Sequence, residues 1–412
     1  MKLNLLALAV PLFVTLMVLE FLIARKKKLP YFNLHHSVSN ISIGIAERLL
    51  DVWVIGIFYF FYDYLQTHFG LFEIKPGILL WFFLLLCTDF CWYWYHRLAH
   101  EVNIFWAAHV VHHQSEDYNY TVSARITVFQ AFLRTGFWAV LPLIGFPASM
   151  ITSILLVHGL YPFFVHTRLI GKMGILEYFL VTPSHHRVHH ASNEAYLDKN
   201  YGDVFIIWDK LFGTFQKEEK DITIKYGLTH PLNSYSFLWQ HFHYFTELLV
   251  AIKRQKGFRQ KLGMLFGRPE LLDPGIRVEV EKRFLVRNTL TSVNQPLNRY
   301  VVWQIGLTVV LLFVFILLEY QLPVAQQLLI SVAILLTLIN CGAIMEQKRW
   351  IFYLEFLRLV TVAIGLVLAW PAIWLSSLLL LTALALASYS GPIRAFYLRA
   401  VYSRNQDVHF NT

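Results

Sequence analysis

Charge and cysteine are both scarce in this chain. Only 15% of its 412 residues are charged, where a soluble domain carries about a quarter, so an ordinary water-exposed globule is excluded. The three cysteines, Cys87, Cys91 and Cys341, all fall in apolar stretches, which excludes a disulfide framework and a thiolate metal site. No internal repeat and no low-complexity tract is present. Acidic residues number 26 against 35 basic ones, giving a formal net charge of +9. In so apolar a sequence that excess belongs to loops facing anionic lipid headgroups rather than to a nucleic-acid surface, and no nucleic-acid partner is expected.

What the chain has in plenty is hydrocarbon and histidine. Apolar residues make up 57% of it, and several apolar runs exceed the roughly 18–20 residues that cross a bilayer. The pattern predicts an all-α, polytopic membrane protein of about nine transmembrane helices,. Candidate spans lie near 3–24, 41–65, 77–95, 126–145, 148–165, 299–319, 324–343, 351–370 and 372–390, with Pro323 and Pro371 marking turns. The first run is followed at once by Arg25, Lys26, Lys27 and Lys28 and lacks a small-x-small cleavage pattern, so it reads as an uncleaved anchor helix. Four regions result: the anchor at 1–30, a central domain at 31–250, a basic interfacial linker at 251–298 and a four-helix membrane region at 299–412.

Lysine and arginine set the orientation. With Arg25–Lys28 inside, alternation leaves only Lys75 in the outer turns and Lys2 at the far end of the first helix, while Lys348, Arg349, Arg394, Arg399 and Arg404 fall inside. The same alternation puts 96–125 and 166–298 on the cytoplasmic face of a bacterial inner membrane or an endoplasmic reticulum membrane. Within that stretch Leu238, Phe242, Phe245, Leu249 and Ile252 share one helical face. They predict a helix lying in the membrane interface; a cytoplasmic core helix is the competing reading.

Three histidine clusters carry the chemistry: His96 with His100, then His109, His112 and His113, then His186, His189 and His190. Residues at i, i+3 and i+4 lie on one side of a helix, so each cluster aims its imidazoles in one direction, as a metal site requires. Eight imidazoles exceed what one ion takes and predict two adjacent metals. His166, at the inner end of the fifth span, is a ninth candidate ligand. His158 lies deeper and is expected not to be one. His185 and the intramembrane carboxylate Asp89 are candidates for hydrogen-bonding metal-bound imidazoles from outside. Tyr118, Asn119, Asn200 and Tyr201 stand near the clusters, to orient substrate or cofactor or simply to cap helices and loops.

The boxes resemble those of the fatty acid hydroxylase and sterol desaturase superfamily of membrane di-iron oxygenases. The segments HRLAHEVNIFWAAHVVHHQSEDYN (96–119), HTRLIGKMGILEYFLVTPSHHRVHHASN (166–193), LDKNYGDVFIIWDKLFGTF (197–215) and YGLTHPLN (226–233) are similar to the branch that acts on alkylglycerols. The sequence departs from the family pattern at Thr121–Arg125 and across 253–298. The resemblance implies that the eight clustered histidines bind two Fe ions and that a tetrahydropterin is the reductant. It further implies hydroxylation of an ether-linked lipid carbon, releasing a fatty aldehyde. Sister enzymes acting on sterol, fatty acyl or carotenoid chains, fed by a protein redox partner, are the alternative. A histidine-rich metal transporter, from another class, would instead place ligands near the bilayer midplane.

Overall fold

The computed structural model describes residues 3–75, 77–284, 286, 295–348, 350–369 and 372–402. Lys2, Arg349, Pro371 and Arg404, used above for topology, lie outside the described residues. Among the described residues the chain is helical, with two isolated β-bridges, Leu180 to Phe205 and Ala191 to Tyr226. It forms two compact units, Val14–Leu232 with Gln240–Val286, and Met1–Phe13 with Asn233–Trp239 and Arg287–Thr412.

The first unit carries every clustered histidine. Its long helices are α1 (Ala9–Lys26), α2 (Leu34–Phe69), α3 (Ile78–Glu101), α4 (Asn103–His113), α5 (Gln130–Trp138), α6 (Val140–Ile144), α7 (Ala148–Val165), α8 (Pro183–His189) and α9 (Phe237–Arg254). Helix α3 packs on α4, α5 and α7, and α2 packs on α6 and α7. Beneath the histidines lies an apolar floor that includes Tyr62, Leu84, Trp92, Trp138, Phe146 and Ile154. Lipid is as apolar as these side chains, so close packing drives their association; the Trp92 and Trp138 rings, 5.8 Å apart, show it.

Among the described residues, six helices are long and apolar enough to span a bilayer, or seven if the bent pair Ile373–Ser388 and Ser390–Phe396 is one broken span. Of the nine expected spans, 41–65 and 126–145 are not among them, and 372–390 falls in the bent pair. Helix α2 carries Glu47, Arg48, Asp51 and Asp63, charges that interrupt the apolar stretch a span needs. The run at 126–145 divides into α5 and α6, each too short to cross,.

Helix α1 is tied to the histidine unit through a buried carboxylate. Glu20 accepts from the Tyr120 backbone N–H at 2.7 Å and from the Thr167 hydroxyl. Helix α9 buries a mixed face, in which Tyr244, Leu248 and Ala251 lie buried beside polar groups. Gln240, His243 and Glu247 are buried, while Phe242 and Leu249 are 42% and 51% exposed. An interfacial helix has this arrangement, with its apolar face toward acyl chains.

In the second unit α10 (Gln295–Leu318), α11 (Val324–Met345), α12 (Ile351–Ala369), α13 (Ile373–Ser388) and α14 (Ser390–Tyr402) follow one another. Several of its polar groups pair with one another, as low dielectric favours. Arg358 donates to Glu355 at 2.7 Å and to Gln304 at 2.6 Å, and Tyr300 donates to Glu355.

Candidate metal centre

The three boxes and His166 converge into two groups of imidazoles. His96, His100, His109, His113 and His189 form one, and His112, His166, His186 and His190 the other. Within each group the ligand atoms all lie within 4.8 Å of one another. Helix geometry explains the division. At 3.6 residues per turn, position i+3 falls about 60° to one side of i and i+4 about 40° to the other. Box two therefore sends His109 and His113 to the first group and His112 to the second. Box three does the reverse, sending His186 and His190 to the second group and His189 to the first. One HxxHH motif feeds two centres.

Hydrogen bonds on the far ring nitrogen fix the tautomers. Nδ1 of His96 donates to the Tyr201 carbonyl (2.7 Å), of His112 to Arg125 (3.1 Å), of His166 to Pro162 (2.5 Å) and of His189 to Lys199 (3.0 Å). His109 Nδ1 reaches Gln130 Oε1 at 3.3 Å. Each such bond leaves Nε2 as a bare lone pair facing inward. Those lone pairs crowd: His112 and His166 Nε2 are 3.2 Å apart, and His96 and His109 Nε2 are 3.0 Å apart. His100 Nε2, His186 Nδ1 and His189 Nε2 are buried with no hydrogen-bond partner. Converging acceptors without protons repel unless a cation lies between them. Two nitrogens bound about 2.1 Å from one metal at right angles sit about 3.0 Å apart, the spacing found here. The donor set fits two metal ions.

Burial pushes His109, His112, His113, His186 and His190 well below the usual imidazole range, with neighbouring imidazoles adding to it. It takes His166 to about 3 and His189 to about 4. These imidazoles are thus neutral at physiological pH, the form in which they could bind a metal.

The sequence missed the groups that hold the boxes, because their partners lie far along the chain. Arg125 is buried and spends its guanidinium on neutral oxygens of Val111 (2.6 Å), Asn40 (3.1 Å), Ser39 (3.3 Å), Gln114 (2.5 Å) and Gln240 (2.7 Å). It lies in the segment that departs from the family pattern, and its carbonyl fixes His112. Arg187, inside box three, forks onto Glu218 at 3.1 and 2.7 Å and donates to the carbonyls of Thr167 and Ile170. Burial would raise the Glu218 carboxyl, yet the hydrogen bonds from Arg187 and Ser184 hold it below its ordinary value. Asn119 and Asn200 take the structural side of their expectation. Asn119 caps Thr121 and binds the Tyr31 carbonyl, and Asn200 joins His185 to Gln216.

Asp89 and His185 do not touch the imidazoles of the two groups as anticipated. Asp89 accepts the N–H groups of Val204 (2.9 Å), Phe205 (3.1 Å) and the Trp208 indole (2.9 Å). It thereby fastens the loop whose Tyr201 carbonyl orients His96. His185 accepts the Thr182 N–H at 3.4 Å, capping α8, and burial pulls it down to about 4, leaving that nitrogen bare. His158 lies apart with Asp89 and Asp203, a third cluster of metal-capable side chains. This one is already satisfied. The Thr88 hydroxyl donates to the Leu85 carbonyl, so His158 Nε2, 2.8 Å away, must donate to it. His158 Nδ1 meets Asp203 at 2.5 Å.

The Fatty acid hydroxylase family matches residues 81–214, from the first turn of α3 to beyond box three and the loop that follows it. The chain is 34% identical to alkylglycerol monooxygenase of Homo sapiens over 367 residues, which is 85% of this chain and 80% of that protein. It is 31% identical to alkylglycerol monooxygenase of Danio rerio over 363 residues, 86% of this chain and 80% of the relative. The chain belongs to the fatty acid hydroxylase family, in its alkylglycerol monooxygenase branch. It is a lipid-hydroxylating, oxygen-dependent membrane monooxygenase. Human lathosterol oxidase is a more distant relative, 27% identical over 150 residues, 36% of this chain and 48% of that protein. No solved structure matches the chain.

Proposed function

We propose that the nine imidazoles hold two iron ions and that the enzyme hydroxylates the ether-linked carbon of a 1-O-alkylglycerol, with a tetrahydropterin as reductant. The observation that carries this reading is the set of bare, converging Nε2 atoms, which has no purpose without cations. The irons, when bound, supply the oxygen activation that an unactivated C–H bond requires and that no acid, base or nucleophile in the chain supplies. The protein's part is positional. Tyr201, Arg125, Pro162 and Lys199 hold four imidazoles by their carbonyls, and the apolar floor keeps bulk water from the reacting carbon. Hydroxylation there gives a hemiacetal, which collapses to a fatty aldehyde and a glycerol derivative.

The lipid enters from the bilayer, because α3 and α7 both end at the centre. The basic end of α1 lies on the same side: Arg168 reaches the Pro30 carbonyl and Asn119 that of Tyr31. The positive-inside rule then makes this face cytoplasmic, where a polar reductant arrives. Membranes containing the enzyme, given iron, oxygen, a tetrahydropterin and a 1-O-alkylglycerol, are expected to release fatty aldehyde, followed by mass spectrometry. No aldehyde from a preparation holding its iron contradicts the substrate assignment and favours a sister hydroxylase fed by a protein donor.

A further inference from the structure

Two of the segments that carried the branch resemblance, 115–119 and 226–233, meet in space beside the four-histidine group. Gly227, at φ +98°, lets them close, since a Cβ there would stand 3.1 Å from Glu116 Cγ. Tyr118 and Tyr226 stack face to face, with ring centroids 4.8 Å apart and planes 12° apart. Tyr118 also stacks on His166, with ring centroids 5.6 Å apart and planes 24° apart. Tyr118 is wholly buried and Tyr226 partly exposed. Past Tyr226 the Arg168 guanidinium lies 5.6 Å from its ring and 3.9 Å from that of Tyr31. Aromatic rings thus run without a gap from the protein surface to an imidazole of the four-histidine group.

A cleft of about 600 Å³ opens beside the outer end, lined by Ser192, Asn193, Glu194, Ala195, Ile222 and Lys225. Lys225 directly precedes Tyr226, and Ala191, next to His190, bridges to Tyr226. The cleft is of small-ligand size. Its Glu194 offers a carboxylate to the paired N–H donors of an aminopyrimidinone ring, and the neighbouring cation and rings suit a planar heterocycle.

We propose that this cleft docks the reductant, a planar reduced heterocycle of the tetrahydropterin class, and that its electrons reach the metals through Tyr226, Tyr118 and His166. The inference rests on the metal centre and reductant class given above, and not on the lipid. Each turnover takes one O2, two electrons and two protons, leaving one oxygen atom in the substrate and one in water. A tetrahydropterin gives up those two electrons and two protons as it becomes a dihydropterin. The phenols are a tunnelling medium and are not themselves oxidised. The Tyr118 hydroxyl donates to the Val165 carbonyl at 3.0 Å, an acceptor that cannot take the proton away. Electronic coupling through stacked rings falls off more slowly than through aliphatic packing, so the ring matters and the hydroxyl does not.

The test is anaerobic reduction of the ferric, iron-loaded enzyme by tetrahydropterin without lipid, read as loss of ferric absorbance, in wild type, Tyr226→Phe and Tyr226→Leu. The expected result is a near wild-type rate for Phe and a rate lower by an order of magnitude for Leu, with iron content and reduction by dithionite unchanged in both. Should the Leu variant lose iron, Tyr226→Met gives the same comparison. A Leu or Met variant reduced as fast as wild type overturns the proposal. So does a Phe variant as slow as Leu, which would assign the hydroxyl a redox role, or a wild type that dithionite reduces and tetrahydropterin does not. The expected pattern in an enzyme that leaves 1-O-alkylglycerols untouched would support this path while removing the lipid assignment.

Discussion

Two buried constellations of metal-capable side chains lie in the same unit, and they differ in what their nitrogens lack. In the nine-imidazole centre, hydrogen bonds outside the ring leave lone pairs converging inside it, and His100, His186 and His189 keep buried nitrogens with no partner. In the Asp89–His158–Asp203 cluster every ring nitrogen and both Asp89 oxygens already have protein partners. A buried polar group with its hydrogen bonds made is at rest; one left unpaired costs about 1–3 kcal/mol. The first constellation therefore calls for cations, and the second works as a clamp that fastens loop 200–208 to α3.

The comparison breaks most readily at His189. His189→Ala is expected to abolish turnover and lower bound metal while the protein stays in the membrane, as read by metal mass spectrometry and the aldehyde assay; full activity contradicts the ligand assignment. Asp89→Asn comes next. It loosens the loop whose Tyr201 carbonyl orients His96, so metal retention or turnover should fall, by less than in His189→Ala. Unchanged metal retention and turnover would leave Asp89 a packing residue only.

Glu218→Gln weakens the brace on box three by about 1.5–3 kcal/mol, the size of a charged hydrogen bond, seen as a lower unfolding midpoint. Because the Glu218 carboxyl sits below its ordinary value when folded, its contribution is fully present above its unfolded value of about 4.3 and fades as pH falls further. Wild type and variant should then converge in stability once the pH has fallen through the depressed folded-state value of Glu218. A gap that persists there would show that shape, not charge, makes the brace. The smallest effect on metal is expected from His158→Ala, which should keep its iron, and loss of about half the metal would move His158 among the ligands.

Histidine spacing made the centre legible before any coordinates, because helical periodicity is local: three boxes and a span-end His166 suffice to name all nine imidazoles. How the boxes divide between two ions follows from the same periodicity, once i+3 and i+4 are seen to fall on opposite sides of i. The supports were illegible because they are long-range. Asp89 is recognisable as a costly carboxylate in an apolar helix, but its partners lie 115 to 119 residues away. Arg125 reads as one more basic residue until Ser39, Asn40 and Gln240 close around it. Helix α2 is long enough to cross yet carries four charged residues, so it falls outside the six candidate spans that length and hydropathy pick out among the described residues. Helix α9 was legible as amphipathic, but only burial shows which face turns outward.

The proposed assignment of two irons to the nine neutral imidazoles is open to direct measurement. Metal analysis of the purified protein, together with X-ray absorption at the iron edge, tests it directly. The account predicts about two irons per chain in a shell dominated by imidazole nitrogen, with no sulfur. Zinc in place of iron, a single ion confined to one of the two groups, or a sulfur-containing shell would contradict it.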